Sequence, residues 1–207
     1  MKTPDNQAFW QRWASHYTKF MQGSQPLYDD ICRQIQPRLD RTMQVLELAC
    51  GTGQLSFPLS GRVKSWEATD FSPAMIHAAK EIPLRSARLH FSVQDATALP
   101  YGDGTFDAVV ISNALHIMPE PDRALSEIRR VLKPEGLLFA PTFLRPTSAL
   151  GRLRMRIMHL AGFHTFHSWD VEGYVNYLEA HGFQVLDRPL LGGGLLPLCC
   201  ATAAPHS

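Results

Sequence analysis

The hydrophobic pattern of the chain alternates between short apolar runs and longer amphipathic stretches. The runs short enough to be strands lie at residues 45–48, 63–69, 88–93, 108–111, 137–142, 183–186 and 195–201. Between them, apolar residues recur at helical spacing, most clearly in residues 121–132. Residues 108–111 are apolar at every position, which is typical of a parallel strand covered on both faces. The pattern therefore predicts an α/β fold with a doubly wound, mostly parallel sheet.

The size and composition are those of a single globular domain. The chain has 207 residues, of which 45% are hydrophobic and 19% are charged. Its formal net charge of +1 is too small to attract a long nucleic acid electrostatically, so we expect no nucleic-acid partner. The four cysteines form no C-x-x-C pair, and we therefore expect reduced thiols and no metal site. No apolar run resembles a signal peptide or is long enough to span a bilayer, which predicts a cytoplasmic location.

A glycine-rich turn follows the first predicted strand. Residues 45–54 read V-L-E-L-A-C-G-T-G-Q, and Gly51 and Gly53 allow a ligand to approach the backbone closely. A strand, a glycine turn and a helix in this order direct free N–H groups at whatever lies over the turn, which suits a nucleotide. The dinucleotide fingerprint needs a third glycine, but Ser56 follows here, and this weakens an NAD or FAD assignment. Asp70 ends the second strand, where an acid can accept both ribose hydroxyls of an adenosine.

These residues, together with the D-F-S-P-A-M sequence of residues 70–75, resemble the class I S-adenosylmethionine-dependent methyltransferases. The resemblance is to the small-molecule, type 11 branch that includes the ubiquinone/menaquinone-type enzymes. It implies a Rossmann-like sheet of seven strands whose last strand is antiparallel. It also implies S-adenosyl-L-methionine as the cofactor and S-adenosyl-L-homocysteine as the product.

The same resemblance implies a set of cofactor-binding residues. Glu47, Ala49, Gly51 and Gly53 would hold the methionine end, although the family most often has glycine where this chain has Ala49. Asp70 would bind the ribose, and Met75 would lie against the face of the adenine. Asp95 and Ala96 would bind the edge of the adenine that carries the amino group. The remaining predicted contacts are Tyr17, Phe71 and Asn113. Structural alternatives stay open for two of these residues, because Met75 could be a core residue and Asp95 a helix cap.

The resemblance also divides the single domain of residues 1–207 into four parts. Residues 1–42 would form an N-terminal helical lid over the cofactor, and residues 43–142 the cofactor-binding core. Residues 143–168 would cover the substrate, and residues 169–207 would supply the C-terminal helix and last strands. Four arginines in the third part could be a solvated helix face, a pocket for an anionic substrate, or a contact with acidic lipid headgroups.

A general base is needed only if the methyl acceptor is a hydroxyl, a thiol or a protonated amine. His116 is the candidate, because imidazole titrates near neutral pH and the residue follows the fourth strand. A packed, hydrogen-bonded histidine is the structural alternative, since its neighbours are apolar. The leading hypothesis is a methyltransferase acting on a small or lipid-like molecule, with peripheral membrane contact left open. A non-catalytic binding protein for S-adenosylmethionine or S-adenosylhomocysteine, or a nicotinamide oxidoreductase, are the alternatives.

Overall fold

The computed structural model describes residues 24–83, 86–160, 165–192 and 196–206. Within them, six helices have the following bounds: α1 Gln25–Ile35, α2 Ser56–Leu59, α3 Pro73–Lys80, α4 Pro121–Val131, α5 Ala149–Leu160 and α6 Val171–Ala180. Three short 3-10 turns lie at Gln36–Arg38, Ser60–Arg62 and Leu115–Ile117. The described part of the chain contains no helix with the length and apolar character required to cross a bilayer.

Eight strands of the described residues form one sheet. They are β1 Gln44–Leu48, β2 Ser65–Asp70, β3 Leu89–Val93, β4 Phe106–Ile111, β5 Leu132–Phe143, β6 Phe183–Asp187, β7 Leu190–Leu191 and β8 Leu198–Pro205. Their order is β3-β2-β1-β4-β5-β8-β6, with β7 paired to β8. Strands β1 to β5 pair in parallel, whereas β8 is antiparallel to β5, β6 and β7. The predicted doubly wound sheet with an antiparallel last strand is confirmed, and the two-residue β7 adds to the seven strands expected.

The two faces of the sheet pack against separate groups of helices. Leu46 and Val109 point into a buried cluster that includes residues of α4 and α6, while Val45 and Val110 point into a second cluster with residues of α1 and α3. Side chains alternate between these clusters because successive strand residues face opposite sides. Helices on both faces leave the carboxyl edge of the parallel strands open for a ligand.

Residues 133–136 have the sequence K-P-E-G, which is typical of a turn, but they are part of β5. Phe106 pairs with Leu132 and Ala108 pairs with Leu137, so β5 uses five residues where β4 uses two. The extra residues form a bulge in which Pro134 and Glu135 are exposed. The K-P-E-G sequence therefore forms a bulge inside the strand, and not a turn before it.

Candidate functional site

The loop after β1 is held against the end of β2 by hydrogen bonds. The Cys50 N–H donates to the Thr69 carbonyl over 2.9 Å, and the Gly51 N–H donates to Asp70 Oδ2 over 2.9 Å. Gly51 and Gly53 have φ angles of 57° and 90°, and Ala49 has a φ angle of 53°. The turn thus uses a left-handed conformation three times, once at a residue with a side chain, which costs about 1–2 kcal/mol for a non-glycine residue.

Gly53 lies close to the aromatic side chains of Phe57 and Phe91. A Cβ atom at this position would approach Phe57 Cε2 to 2.6 Å and Phe91 Cζ to 3.2 Å. Gly53 does not line the cavity described below. Its predicted contribution to cofactor binding would therefore act through the shape of the turn.

Glu47 lies at the floor of the site and is only 2% exposed. Its Oε2 accepts hydrogen bonds from Ser56 Oγ at 2.5 Å and from Trp66 Nε1 at 2.8 Å. Burial raises the pKa of Glu47 to about 7, although the two donors partly oppose this shift and the nearby Asp70 reinforces it. Near neutral pH this carboxyl group can therefore be either protonated or ionised.

Asp70 joins the glycine turn to the start of α3. Its Oδ1 accepts from the Ser72 N–H at 2.9 Å, and Ser72 in turn caps α3 by accepting from the Met75 N–H. Burial raises the pKa of Asp70, while the N–H groups of Ser72 and Gly51 lower it. Each carboxylate oxygen accepts one backbone hydrogen bond, which leaves lone pairs for a ligand hydroxyl.

A cavity of about 390 Å³ lies over the carboxyl ends of β1, β2, β3 and β4. Most of the predicted cofactor residues line it, namely Glu47, Ala49, Gly51, Asp70, Phe71, Met75, Asp95, Ala96 and Asn113. Tyr17 lies outside the described residues. The structure therefore brings together residues that are as far apart in the chain as positions 47 and 113.

The wall formed by the loop after β3 contains Asp95 and Ala96. Asp95 Oδ1 accepts from both the N–H and the Oγ1 of Thr97, each at 2.8 Å, so the carboxylate orders its own loop. The hydrogen bonds among the described residues leave Oδ2 of Asp95 unused. Met75, at 2% exposure, is both a core residue and part of the cavity wall.

Asn113 combines a strained backbone with an unpaired side chain. Its φ angle is 54°, and its N–H donates to the Pro141 carbonyl at 2.8 Å. Among the described residues, neither its amide Nδ2 nor its Oδ1 has a hydrogen-bond partner, and the same is true of Ser112 Oγ. Buried polar atoms without partners cost about 1–3 kcal/mol each, so these groups favour a polar ligand that satisfies them.

His116 does not line the cavity, although its neighbours Ala114 and Ile117 do. The ring is 6% exposed, and Nδ1 lies 3.0 Å from Thr142 Oγ1. Burial, with a smaller contribution from the charge of His167, lowers the pKa of His116 to about 4. This environment is that of a packed, neutral histidine, and the base role stays a prediction.

Several cavity residues were missed by the sequence analysis. They are Tyr28 from α1, Gln54 and Leu55 after the glycine turn, Gln94 and Thr97 beside Asp95, and the loop residues Met118, Pro119 and Glu120. Gln54 could have been found, because it directly follows the turn in sequence. Tyr28 could not, since its apolar neighbours predict only a packed helix face.

Several solved structures share the fold of this chain. A methyltransferase from a complex with the Trm112 methyltransferase activator of Haloferax volcanii superposes with a TM-score of 0.79, at 17% identity, over 96% of this chain and 98% of that one. A Thermotoga maritima S-adenosylmethionine-dependent methyltransferase gives 0.74 at 19% identity, again over 96% and 98%. The [4+2]-cyclase SpnF gives 0.71 at 22% identity, over 89% of this chain and 82% of that one. Similarity at this level defines the fold and leaves the reaction open.

Sequence comparison finds relatives of the central segment. Residues 45–136 match the family model described as a methyltransferase domain. The demethylmenaquinone methyltransferase of Renibacterium salmoninarum is 42% identical over 104 residues, which is 50% of this chain and 43% of that one. The enzyme of the same name from Thermus thermophilus is 36% identical over 117 residues, or 55% and 53%. The chain spans about half the length of these relatives. The predicted resemblance to class I methyltransferases is confirmed.

Proposed function

We propose that this protein transfers a methyl group from S-adenosylmethionine to a small, lipid-like acceptor. The observation that carries the proposal is the cavity that places Glu47, Asp70 and Asp95 beside the glycine turn. Three acids at the tips of neighbouring strands suit the hydroxyls and amines of an adenosyl amino acid. The side-chain amide of Asn113, which has no hydrogen-bond partner among the described residues, adds a donor and an acceptor to the cavity wall.

The residues take separate binding roles in this proposal. The remaining lone pairs of Asp70 accept the ribose hydroxyls, and Oδ2 of Asp95 accepts the adenine amine. Met75 packs on the adenine, while Glu47 and the backbone of the glycine turn bind the methionine end. Tyr28 lines the cavity from α1, and this supports the N-terminal segment as a lid.

The chain's own contribution to the reaction is orientation and exclusion of water. Bound S-adenosylmethionine supplies an activated methyl group, so no nucleophilic residue is required. Fixing an acceptor in line with that group can account for about 7–11 kcal/mol of the barrier. Ile117, Met118 and Pro119 line the cavity next to Asn113 and give it an apolar wall for the acceptor.

The acceptor class rests on this wall and on the relatives. Proteins named demethylmenaquinone methyltransferase match half of this chain, and such a substrate is a lipid-like ring compound. We propose an acceptor of this type, and a cytoplasmic location from which to reach it. His116 is retained as the candidate base, with less support than the binding residues.

A methyl-transfer screen tests the proposal. The full chain is incubated with S-adenosylmethionine carrying a labelled methyl group and with metabolite and lipid extracts, and the labelled product is identified by mass. Asp70→Ala should abolish cofactor binding in calorimetry, whereas His116→Ala should lower turnover with cofactor affinity nearly intact. Cofactor binding without any labelled product would favour the non-catalytic binding protein, and absence of binding would contradict the proposal.

A further inference from the structure

The segment that runs from the middle of β5 to two residues before α6 has an unusual charge composition. Residues 136–169 contain four arginines and no aspartate or glutamate, in a chain whose net charge is only +1. Arg145 is paired with Asp170 Oδ2 at 2.7 Å, outside this segment. The other arginines all lie on α5, so positive charge is concentrated on one helix.

Helix α5 also exposes large apolar side chains. Leu150 and Leu153 are 60% and 53% exposed, and they lie three residues apart on one face of the helix. Gly151 is buried and Met155 is half-buried, so these two residues form the inner face. Arg152 and Arg156 are exposed and lie between the two faces, although Arg152 Nη1 also donates to the Thr147 carbonyl at 2.8 Å. Exposed leucines flanked by arginines are typical of helices that lie in a membrane interface.

The helix leaves the sheet at the edge that carries the cavity. β5 is parallel to β4, so both strands end at the same edge, and α5 begins six residues after β5. The segment returns beside the cavity, because the N–H groups of Phe166 and His167 donate to the His116 carbonyl at 2.9 and 3.1 Å. A surface bound to α5 would therefore lie near the loop that supplies Ile117 and Met118 to the cavity wall.

We propose that α5 binds the surface of an anionic lipid bilayer, with Leu150 and Leu153 entering the interface and Arg152 and Arg156 contacting acidic headgroups. The absence of any acid in residues 136–169 makes the charge complementary to such a surface. Binding of this kind needs neither the cofactor nor methyl transfer. It goes beyond the proposed function, and the two can fail separately.

The test measures sedimentation of the full chain, without cofactor, with vesicles of defined composition. Vesicles of phosphatidylcholine mixed with phosphatidylglycerol should retain the protein at low salt and release it at high salt, because screening weakens the arginine contacts. Arg152→Gln combined with Arg156→Gln should reduce binding about tenfold or more. Leu150→Ser combined with Leu153→Ser should reduce binding at least tenfold at either salt concentration.

Matched controls carry equivalent changes elsewhere on the surface. Leu186→Ser with Leu190→Ser removes leucines that are 49% and 59% exposed, and Arg41→Gln with Arg62→Gln removes the same charge from exposed positions. All variants should unfold at the wild-type temperature. Failure of the wild type to bind anionic vesicles, equal binding to pure phosphatidylcholine, or an equal loss in the control pairs would each overturn the proposal.

Discussion

At the residue scale, the candidate site contains residues whose backbone conformation or buried charge lowers the stability of the protein. Ala49 and Asn113 are the two described non-glycine residues with positive φ, and both line the cavity. Glu47 is a carboxyl group enclosed in the core at the same cavity. Such features persist where ligand binding compensates for them, and this leads to two predictions.

The first prediction concerns Asn113. Asn113→Gly relieves the positive φ and removes the unpaired amide, so we expect the unliganded protein to gain about 0.5–2 kcal/mol in urea unfolding. Affinity for S-adenosylmethionine or for the acceptor should fall, by about tenfold or more, because the amide no longer contacts the ligand.

Ala49→Gly is the matched control for Asn113. It relieves a similar φ angle of 53° at the same cavity without removing a polar group. We expect a small gain in stability and little change in ligand affinity. Equal losses of affinity in the two variants would show that the backbone conformation, and not the Asn113 amide, binds the ligand.

The second prediction is a pH dependence that originates at Glu47. The folded pKa of about 7 lies above the usual glutamate pKa of 4.5, so the native state holds a proton that the unfolded chain has lost between these pH values. The contribution of Glu47 to stability should therefore decline through this window as pH rises, by on the order of 3 kcal/mol. Glu47→Gln keeps an acceptor for Ser56 and Trp66 and removes the titration.

The measurement is urea unfolding of both proteins at several pH values. The stability of Glu47→Gln relative to wild type should increase from pH 4.5 to pH 7. His116 contributes with the opposite sign, since its lowered folded pKa of about 4 destabilises the protein as pH falls below 6.5. This contribution cancels in the comparison because both proteins contain His116. A constant difference across the window would contradict the assignment.

At the element scale, helix α6 is fixed to the sheet by a buried hydrogen bond. Tyr174 is 0% exposed, and its hydroxyl donates to the Ala140 carbonyl of β5 at 2.8 Å. Tyr174→Phe should lower the free energy of unfolding by about 1–2 kcal/mol, because the carbonyl loses its side-chain donor in the interior. Tyr177→Phe is the control, since that hydroxyl donates to the exposed carboxylate of Asp122 at 2.7 Å. A loss in Tyr177→Phe as large as in Tyr174→Phe would mean that burial is not the cause.

The order and type of the elements could be predicted from the sequence, but some of their bounds could not. Residues 108–111 indicated a buried parallel strand because every position is apolar, and β4 includes all four. The last strand was expected at residues 195–201 and lies at Leu198–Pro205, because its final residues are small and give a weak hydrophobic signal. The bulge at residues 133–136 was also missed, since pairing between strands decides whether a turn sequence interrupts a strand.

Part of the candidate site could also be predicted from the sequence, and part of it could not. The acids could be located because the carboxyl ends of parallel strands meet at one edge, so Glu47, Asp70 and Asp95 had to lie close together. The position of His116 depends on the direction of one side chain in a 3-10 turn, and the sequence does not determine that direction. The contribution of Tyr28 depends on how α1 packs against the sheet, which is a long-range property.

At the scale of the whole molecule, one cavity joins the ends of four strands, so a ligand bound there should stabilise the entire sheet. The carboxylates that line it come from residues up to 73 positions apart, between Glu47 and Glu120. Unfolding separates these groups and destroys the binding site. Ligand binding and global stability are therefore linked.

The last prediction uses this linkage to test which nucleotide the cavity accepts. S-Adenosylhomocysteine at about 100 times its dissociation constant should raise the free energy of unfolding by about 2.7 kcal/mol, because it binds only the native state. NADH should give no stabilisation, since the turn lacks the third glycine of the dinucleotide fingerprint. Asp70→Ala should remove the response to S-adenosylhomocysteine, whereas Asp103→Ala, a change at a carboxylate that is 82% exposed outside the cavity, should retain it. Stabilisation by NADH with no response to S-adenosylhomocysteine would favour the nicotinamide oxidoreductase over the methyltransferase.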